Sequence, residues 1–395
     1  MVRFFVATPL GFEESALSEM REVWPYLLGK DAKAHTQPFP AVEVLQGGFE
    51  FEADLFTALQ LNFFLKTANR ILVRLASFKA RDLPKFYQKF KSLPWLEYLP
   101  HGNVEWEIAA QKSRLNNEKR LHESAAEALA EIFAKIPAAK EPCATIYIRM
   151  EDDLCTVSLD STGEHLHKRG WSVLKGEAPL RETIAAFLLK ELIGETSTAE
   201  LAKVTLLDPM MGAGTFLTEA RSLQSGQYAR PFAFQKWKKA PKLFQSTSFA
   251  LNYTLPVTPG FAKYAGFDIN EDMLPVVQGN FAEVERQLAL VQRKSFKAAE
   301  TDFRVQDALQ GEYKAEGPLW IIVNPPYGER LPEAVQGGLK GLAEVLCRRY
   351  GPQKLGILYP EKEKVQPAPK GYRVFKEIKI NNGGLRCLFT VLTRL

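Results

Sequence analysis

The residues with the richest chemistry in this 395-residue chain run Leu319-Trp320-Ile321-Ile322-Val323-Asn324-Pro325-Pro326-Tyr327-Gly328. An apolar run that reads as a buried strand ends in a side-chain amide, and two prolines stiffen the corner that follows. The corner offers two acceptors, the Asn324 side-chain oxygen and the Pro325 carbonyl, that can hold one exocyclic amino group. Tyr327 can stack on the ring carrying that group. Read only as structure, the same residues make a rigid turn. Open α/β sheets bind ligands at the carboxyl ends of their strands, which is where this corner would sit.

Three acids occupy comparable positions. Val204–Leu207 reads as an apolar strand ending in Asp208, followed by Gly212-Ala213-Gly214-Thr215 and an apolar helical run from Phe216. Strand, acid, Gly-x-Gly turn and helix form a nucleotide-binding first crossover, in which glycines let the backbone approach a ligand. Asp208 is placed to accept from a ligand amine or hydroxyl. Leu217 stands where a third glycine would be, which counts against a pyrophosphate-bearing dinucleotide. Asp268, after Tyr264–Phe267, is placed to accept both hydroxyls of a ribose. It comes 60 residues after Asp208, where the simple fingerprint expects about 20. The surplus is assigned to an insertion at 227–259, rich in Pro, Lys and aromatics, which reads equally as a surface loop or a substrate-side lobe. Asp307, after Phe303–Val305, can accept from an adenine amine, although a strand-end acid taken by itself is more often a helix cap.

The elements that must position these residues follow from pattern. From Pro179 onward, helical periodicities alternate with short apolar runs at Val204–Leu207, Tyr264–Phe267, Phe303–Val305, Leu319–Val323, Lys354–Leu358 and Leu385–Leu392. Such runs predict a mostly parallel sheet covered on both faces. The earlier part mixes strands and helices. It has a strand at Arg3–Thr8, a helix over Phe12–Trp24, a hairpin around Gln46-Gly47-Gly48, one or two helices or a helix then strand within Leu55–Leu75, a strand at Asn103–Ala110, a helix over Asn117–Ile136, and a strand pair at Thr145–Met150 and Leu154–Asp160. The polar stretch after Ser161 reads as a linker, centred on 166–178.

Composition excludes several classes. Charged residues are 25%, apolar residues 46%, and the formal net charge is +5, which describes an ordinary globular protein. No apolar run approaches the ~20 residues of a membrane helix. Met1–Gly11 lacks the pattern of a secretory signal, so a cytoplasmic protein is expected. Cys143, Cys155, Cys347 and Cys387 are too few and scattered for a disulfide scaffold or zinc site, and no metal is expected. The small net charge hides a segregation: Lys66–Arg120 carries twelve Lys or Arg against five Asp or Glu. Phe78, Phe86, Tyr87, Phe90 and Trp95 are interleaved with them. That mixture suits a phosphate backbone with stackable bases, or an amphipathic helix whose aromatics face the core.

Asn-Pro-Pro-Tyr after an apolar strand points to methyl transfer onto a planar amino nitrogen. Residues 200–330 resemble a class I S-adenosylmethionine-dependent methyltransferase of the amino-methylating branch. Over essentially its whole length the chain resembles the RlmL-like family of RNA guanine-N2 methyltransferases. The resemblance runs through Gln46–Phe51, Arg114–Arg120, Leu166–Trp171, Gly176–Glu182, Asp208–Ala220 and Asn324–Leu331. It departs mildly at Met211 and Ala213, where the family more often has Cys and Ser. Family members often carry a second methyltransferase domain, and none is read in these residues.

The resemblance implies an α/β fold: a Rossmann-like class I methyltransferase domain at 179–395, preceded by an α+β ferredoxin-like part at 1–50, a THUMP RNA-binding region at 51–165 and the linker. It implies that Asn324, Pro325 and Tyr327 are catalytic, and that Asp208, Gly212, Gly214, Thr215, Asp268 and Asp307 hold S-adenosylmethionine. RNA contact would fall to some of Arg81, Lys85, Lys89, Lys112, Arg114, Lys119 and Arg120. The implied substrate is large-subunit (23S) ribosomal RNA, with tRNA as the alternative. A reading from a different class is a non-catalytic RNA-binding or assembly factor with a vestigial cofactor fold. The oligomeric state is not legible.

Overall fold

The structure, a computed structural model, describes residues 1–29, 38–171, 180–223, 226, 230–245, 260–292, 296–326, 338–362 and 368–395. The chain forms two compact units: Met1–Leu166 with Arg230–Tyr253, and His167–Ala229 with Thr254–Leu395.

The first unit is built on one seven-stranded sheet. Its strands are β1 (Val2–Ala7), β2 (Val42–Leu45), β3 (Gly48–Ala53), β4 (Arg70–Lys79), β5 (Glu105–Gln111), β6 (Thr145–Glu151) and β7 (Leu154–Asp160). They lie in the order β2-β3-β1-β4-β7-β6-β5. All neighbours are antiparallel except β5 and β6, which the Glu118–Ile132 helix joins by a crossover. A boundary at residue 50 would cut through β3, whose partner β1 also pairs with β4, so 1–166 share one sheet.

Local chemistry explains the helices of this unit. Asn117 caps Glu118–Ile132 by accepting the Arg120 N–H at 3.0 Å, and the buried Leu121, Ala125, Ala128 and Leu129 make one stripe. Asp82 caps Leu83–Lys91 at the Lys85 N–H, 2.8 Å away. There Phe86 and Phe90 turn inward at i, i+4, which leaves Lys85 and Lys89 exposed.

Residues 230–245 also fold with the first unit. Phe63 meets Phe232 at 4.8 Å, Phe56 stacks on Phe244 at 4.8 Å, and Tyr98 meets Trp237 edge-on at 5.8 Å. The backbone joins in, with the Lys238 N–H donating to the Tyr98 carbonyl at 2.8 Å and the Phe234 N–H to the Ser161 carbonyl at 3.1 Å. The described part of the insertion is therefore neither a loose surface loop nor part of the sheet it interrupts in sequence.

The second unit also carries seven strands: β8 (Thr205–Asp208), β9 (Lys263–Asp268), β10 (Glu300–Val305), β11 (Leu319–Val323), β12 (Lys354–Pro360), β13 (Tyr372–Asn382) and β14 (Leu385–Arg394). Their order is β10-β9-β8-β11-β12-β14-β13. The first five are parallel, and the β13–β14 hairpin runs antiparallel beside β12. Leu207, Ala265, Phe267, Ile321, Val323, Leu355 and Ile357 form the core of this sheet. The sequence predicts β14 but not its partner β13, whose residues are mostly half-buried or exposed.

Candidate active site

Among its parallel strands, the second sheet reverses the direction of chain order once, beside β8. From β8 the chain steps outward to β9 and β10, then crosses back to enter β11 on the other side of β8. Such a reversal opens a crevice at the carboxyl ends of the strands, where doubly wound sheets bind ligands. The four singled-out polar residues stand there on four consecutive strands. Asp268 and Asp208 are the last residues of β9 and β8, Asn324 follows β11 directly, and Asp307 lies two residues past β10. With strands about 4.8 Å apart, the row spans roughly 15 Å.

Each aspartate is anchored in the same way. One oxygen accepts the N–H two residues on: Met210 to Asp208 at 3.1 Å, Asn270 to Asp268 at 2.9 Å, and Leu309 to Asp307 at 2.8 Å. This turn chemistry fixes the carboxylate while leaving further lone pairs on its oxygens. Asp307 opens a turn at 308–310 rather than a helix, so the helix-cap reading is not realised, and the turn leaves its second oxygen unused. Asp268 differs in using that oxygen to accept the Gly212 N–H at 2.8 Å. Asp208 is only 2% exposed, and burial pushes its carboxyl up to about 8; the Met210 N–H pulls the other way, and the Asp268 charge adds to the rise.

The glycine turn is held from several sides. Gly214 sits at φ +80 as the residue before the Thr215–Ser222 helix, and a Cβ there would collide with Val277. Gly212, at φ +50, has open space where a Cβ would go. Among the described residues no side chain caps the helix, so its first N–H groups lack a side-chain acceptor. Thr215 opens the helix and is half-buried. The two-proline corner has Asn324 half-buried, Pro325 buried and Pro326 exposed. Tyr327 lies outside the described residues.

Sequence reasoning missed Ile269, which is 72% exposed although it directly follows the strand-end Asp268. An apolar residue just after a strand-end acid was the available signal.

The seven cations singled out for phosphate contact belong to the first unit, and all are exposed. Three of their interleaved aromatics, Phe86, Phe90 and Trp95, are core residues with no ring face left for a base, whereas Phe78 and Tyr87 are half-buried. Lys66, first in the basic run, is buried too. Asp153, in the β6–β7 turn, organises part of the cluster. It accepts from Arg81 Nε at 2.8 Å and from the Arg114 N–H at 2.8 Å, and its own N–H donates to the Ser113 hydroxyl at 2.9 Å. The Arg114 N–H, with the Arg81 guanidinium, holds the Asp153 carboxyl below its ordinary range. Lys119 lies 4.0 Å from Glu123 on one helix face. Among the described residues, no group of three or more His, Cys, Asp or Glu could hold a metal ion, and no helix is long and apolar enough to cross a membrane.

Comparison with known proteins decides the family. The UPF0020 family model, RMKL-like methyltransferase domain, matches residues 169–388, more than half of the chain. The chain belongs to this family. The RMKL-like match takes in Asp208, Gly212, Gly214, Thr215, Asp268, Asp307 and Asn324, and leaves out the seven cations. A relative named ribosomal RNA large subunit methyltransferase K/L, from Shewanella sp. (strain MR-4), is 26% identical over all of this chain and 53% of its own length. The protein of the same name from Psychromonas ingrahamii is 30% identical over 73% of this chain and 38% of its own. The chain thus spans about half the length of the curated relatives it matches. Among solved structures, SMU.472 complexed with SAH superposes with a TM-score of 0.73 at 23% identity, over 100% of this chain and 98% of that one, and shares the RMKL-like fold.

Proposed function

We propose that this chain transfers a methyl group from S-adenosylmethionine to the exocyclic N2 of guanine in RNA, with large-subunit ribosomal RNA as the substrate. The observation that carries this reading is the row Asp307, Asp268, Asp208 and Asn324 on four adjacent strand ends at the point where strand order reverses. The names of the relatives point to the RNA, and the SAH held by SMU.472 points to the cofactor.

The residues suit that cofactor. Asp208 would face its ammonium, Asp268 its ribose hydroxyls and Asp307 its adenine amine, while Gly212 and Gly214 give the backbone close approach and Thr215 opens the helix beside them. Open space before Gly212 and a buried carboxyl at Asp208 whose charged form lacks a cation both fit such a ligand. When bound, the cofactor supplies an activated methyl on a sulfonium. The guanine N2 lone pair is delocalised into its ring and weakly nucleophilic. Asn324 Oδ1 and the Pro325 carbonyl would accept its two N–H groups, draw the nitrogen towards tetrahedral geometry and stabilise the positive charge that develops there. Holding N2 at about 3–3.5 Å from the methyl carbon supplies further acceleration. Tyr327 would stack on the unstacked base, returning roughly 1–3 kcal/mol of the cost of extrusion.

We further read the first unit as the ferredoxin-like and THUMP region of the family, docking RNA through Arg81, Lys85, Lys89, Lys112, Arg114, Lys119 and Arg120, in a cytoplasmic enzyme. Exposure of all seven supports this. The test is incubation with labelled S-adenosylmethionine and deproteinised ribosomal RNA or tRNA, followed by nucleoside analysis. The expected product is N2-methylguanosine in the large-subunit RNA. Label in tRNA alone would move the substrate to the alternative, and label on another nucleoside would overturn the guanine assignment.

A further inference from the structure

The residues just after 166 read from sequence as a polar linker, yet Arg169 and Trp171 are both buried. Arg169 donates from Nε to Glu219 Oε1 at 3.2 Å and from Nη2 to Glu219 Oε2 at 3.1 Å, with both side chains 0% exposed. Glu219 lies on the Thr215–Ser222 helix, which opens at the glycine turn. Two residues on, Trp171 packs against Val284 and Leu288 of the Met273–Gln292 helix. Gly170 between them has φ +92, a backbone state that suits glycine and redirects the chain from one helix to the other.

Those two helices are also the ones that hold the turn. Met273–Gln292 places Val277 against Gly214, and its Asn280 donates to the Ala213 carbonyl at 3.1 Å. Arg221 of the shorter helix pairs with Glu285 of the longer one. The segment Arg169-Gly170-Trp171 therefore touches both helices that wall the glycine turn.

A fully buried ion pair is a poor source of stability, because desolvation offsets its attraction and apolar residues of similar volume often do as well. What two parallel N–H···O bonds add is a fixed orientation. We propose that Arg169-Gly170-Trp171 is a positioning bracket, which sets the two helices so that the Gly212–Gly214 backbone is presented to the cofactor. The inference rests on the cofactor reading of that turn. Arg169 reaches no reacting atom and is a positioning residue.

The test uses the full chain with S-adenosylhomocysteine as the probe. The double variant Arg169→Met with Glu219→Met removes both charges and leaves flexible apolar side chains. It should unfold cooperatively within a few degrees of the wild type. Its probe Kd should nevertheless be weakened at least fivefold, and amides 210–214 should exchange faster while those of β12 do not change. Arg169→Lys keeps the charge but cannot span both carboxylate oxygens in the same way, and should give an intermediate Kd. A double variant that binds within fivefold of the wild type, or that loses cooperative unfolding altogether, overturns the bracket and leaves ordinary core support. A wild-type protein that does not bind the probe would instead sink the cofactor reading, and exchange at amides 210–214 would still decide the bracket.

Discussion

Asp208 carries the clearest consequence at the scale of a single residue. Its carboxyl is held protonated up to about pH 8 because it is buried with only one N–H favouring its charge. The folded value lies above the ordinary value of 3.8, so the folded state binds the extra proton. Stability without ligand should therefore fall as pH rises from about 4 towards 8. A cationic amine placed beside Asp208 favours the ionised form, so binding below pH 8 must release a proton. The Kd for S-adenosylhomocysteine should tighten as pH rises from 6 to 7.5, by up to about tenfold per unit. Asp208→Asn should flatten the profile. Calorimetry in buffers of different ionisation enthalpy reads the proton directly, and a pH-independent Kd with no proton release would remove Asp208 from the amine.

At the scale of elements, the insertion makes the sharpest prediction. Phe234 is fully buried against Phe63 and Phe244. Phe234→Ala should cost about 3–5 kcal/mol, as cavities left by large aromatics do. The loss should appear as faster amide exchange at 55–65 and 95–99, with β8–β12 unchanged; loss of protection in β8–β12 instead would contradict the assignment of 230–245 to the first unit. Elements differ here in how far sequence discloses them. The strands β8, β9, β11 and β12 are continuous apolar runs because both faces are covered, and such runs are visible without coordinates. Strand β13 escapes because its Lys and Arg side chains reach solvent and no single periodicity dominates. Arg169 escapes for a different reason. A lone arginine between a lysine and a glycine looks solvated, and Glu219, which pairs with it in the interior, lies 50 residues on. The insertion's partners lie still further away, with Phe244 meeting Phe56 across most of the first unit's sequence.

For the whole molecule, the prediction concerns charge. On the Leu83–Lys91 helix the basic side chains form a surface and the phenylalanines a core, with Lys85 and Lys89 exposed above Phe86 and Phe90. Which cations act together was not legible, since Asp153 gathers Arg81 and Arg114 from separate segments. Replacing Arg81, Lys112 and Arg114 by Gln should weaken RNA binding across sequences. It should also reduce the slope of log affinity against log salt by about 0.7–0.9 for each phosphate that is no longer neutralised. The Kd for S-adenosylhomocysteine should not change, since the residues proposed to hold it belong to the second unit. Filter binding across a salt series reads the slope, and an unaltered slope would move RNA docking elsewhere.

The central claim is that Asn324 and Pro325 present paired acceptors to a planar amine, and Asn324→Ala tests it most directly. The variant should bind S-adenosylhomocysteine within twofold of the wild type by calorimetry. Methyl transfer to RNA under single-turnover conditions should fall about 10²-fold or more, the scale of losing one preorganised hydrogen-bond partner of the transition state. Undiminished transfer by Asn324→Ala would contradict it.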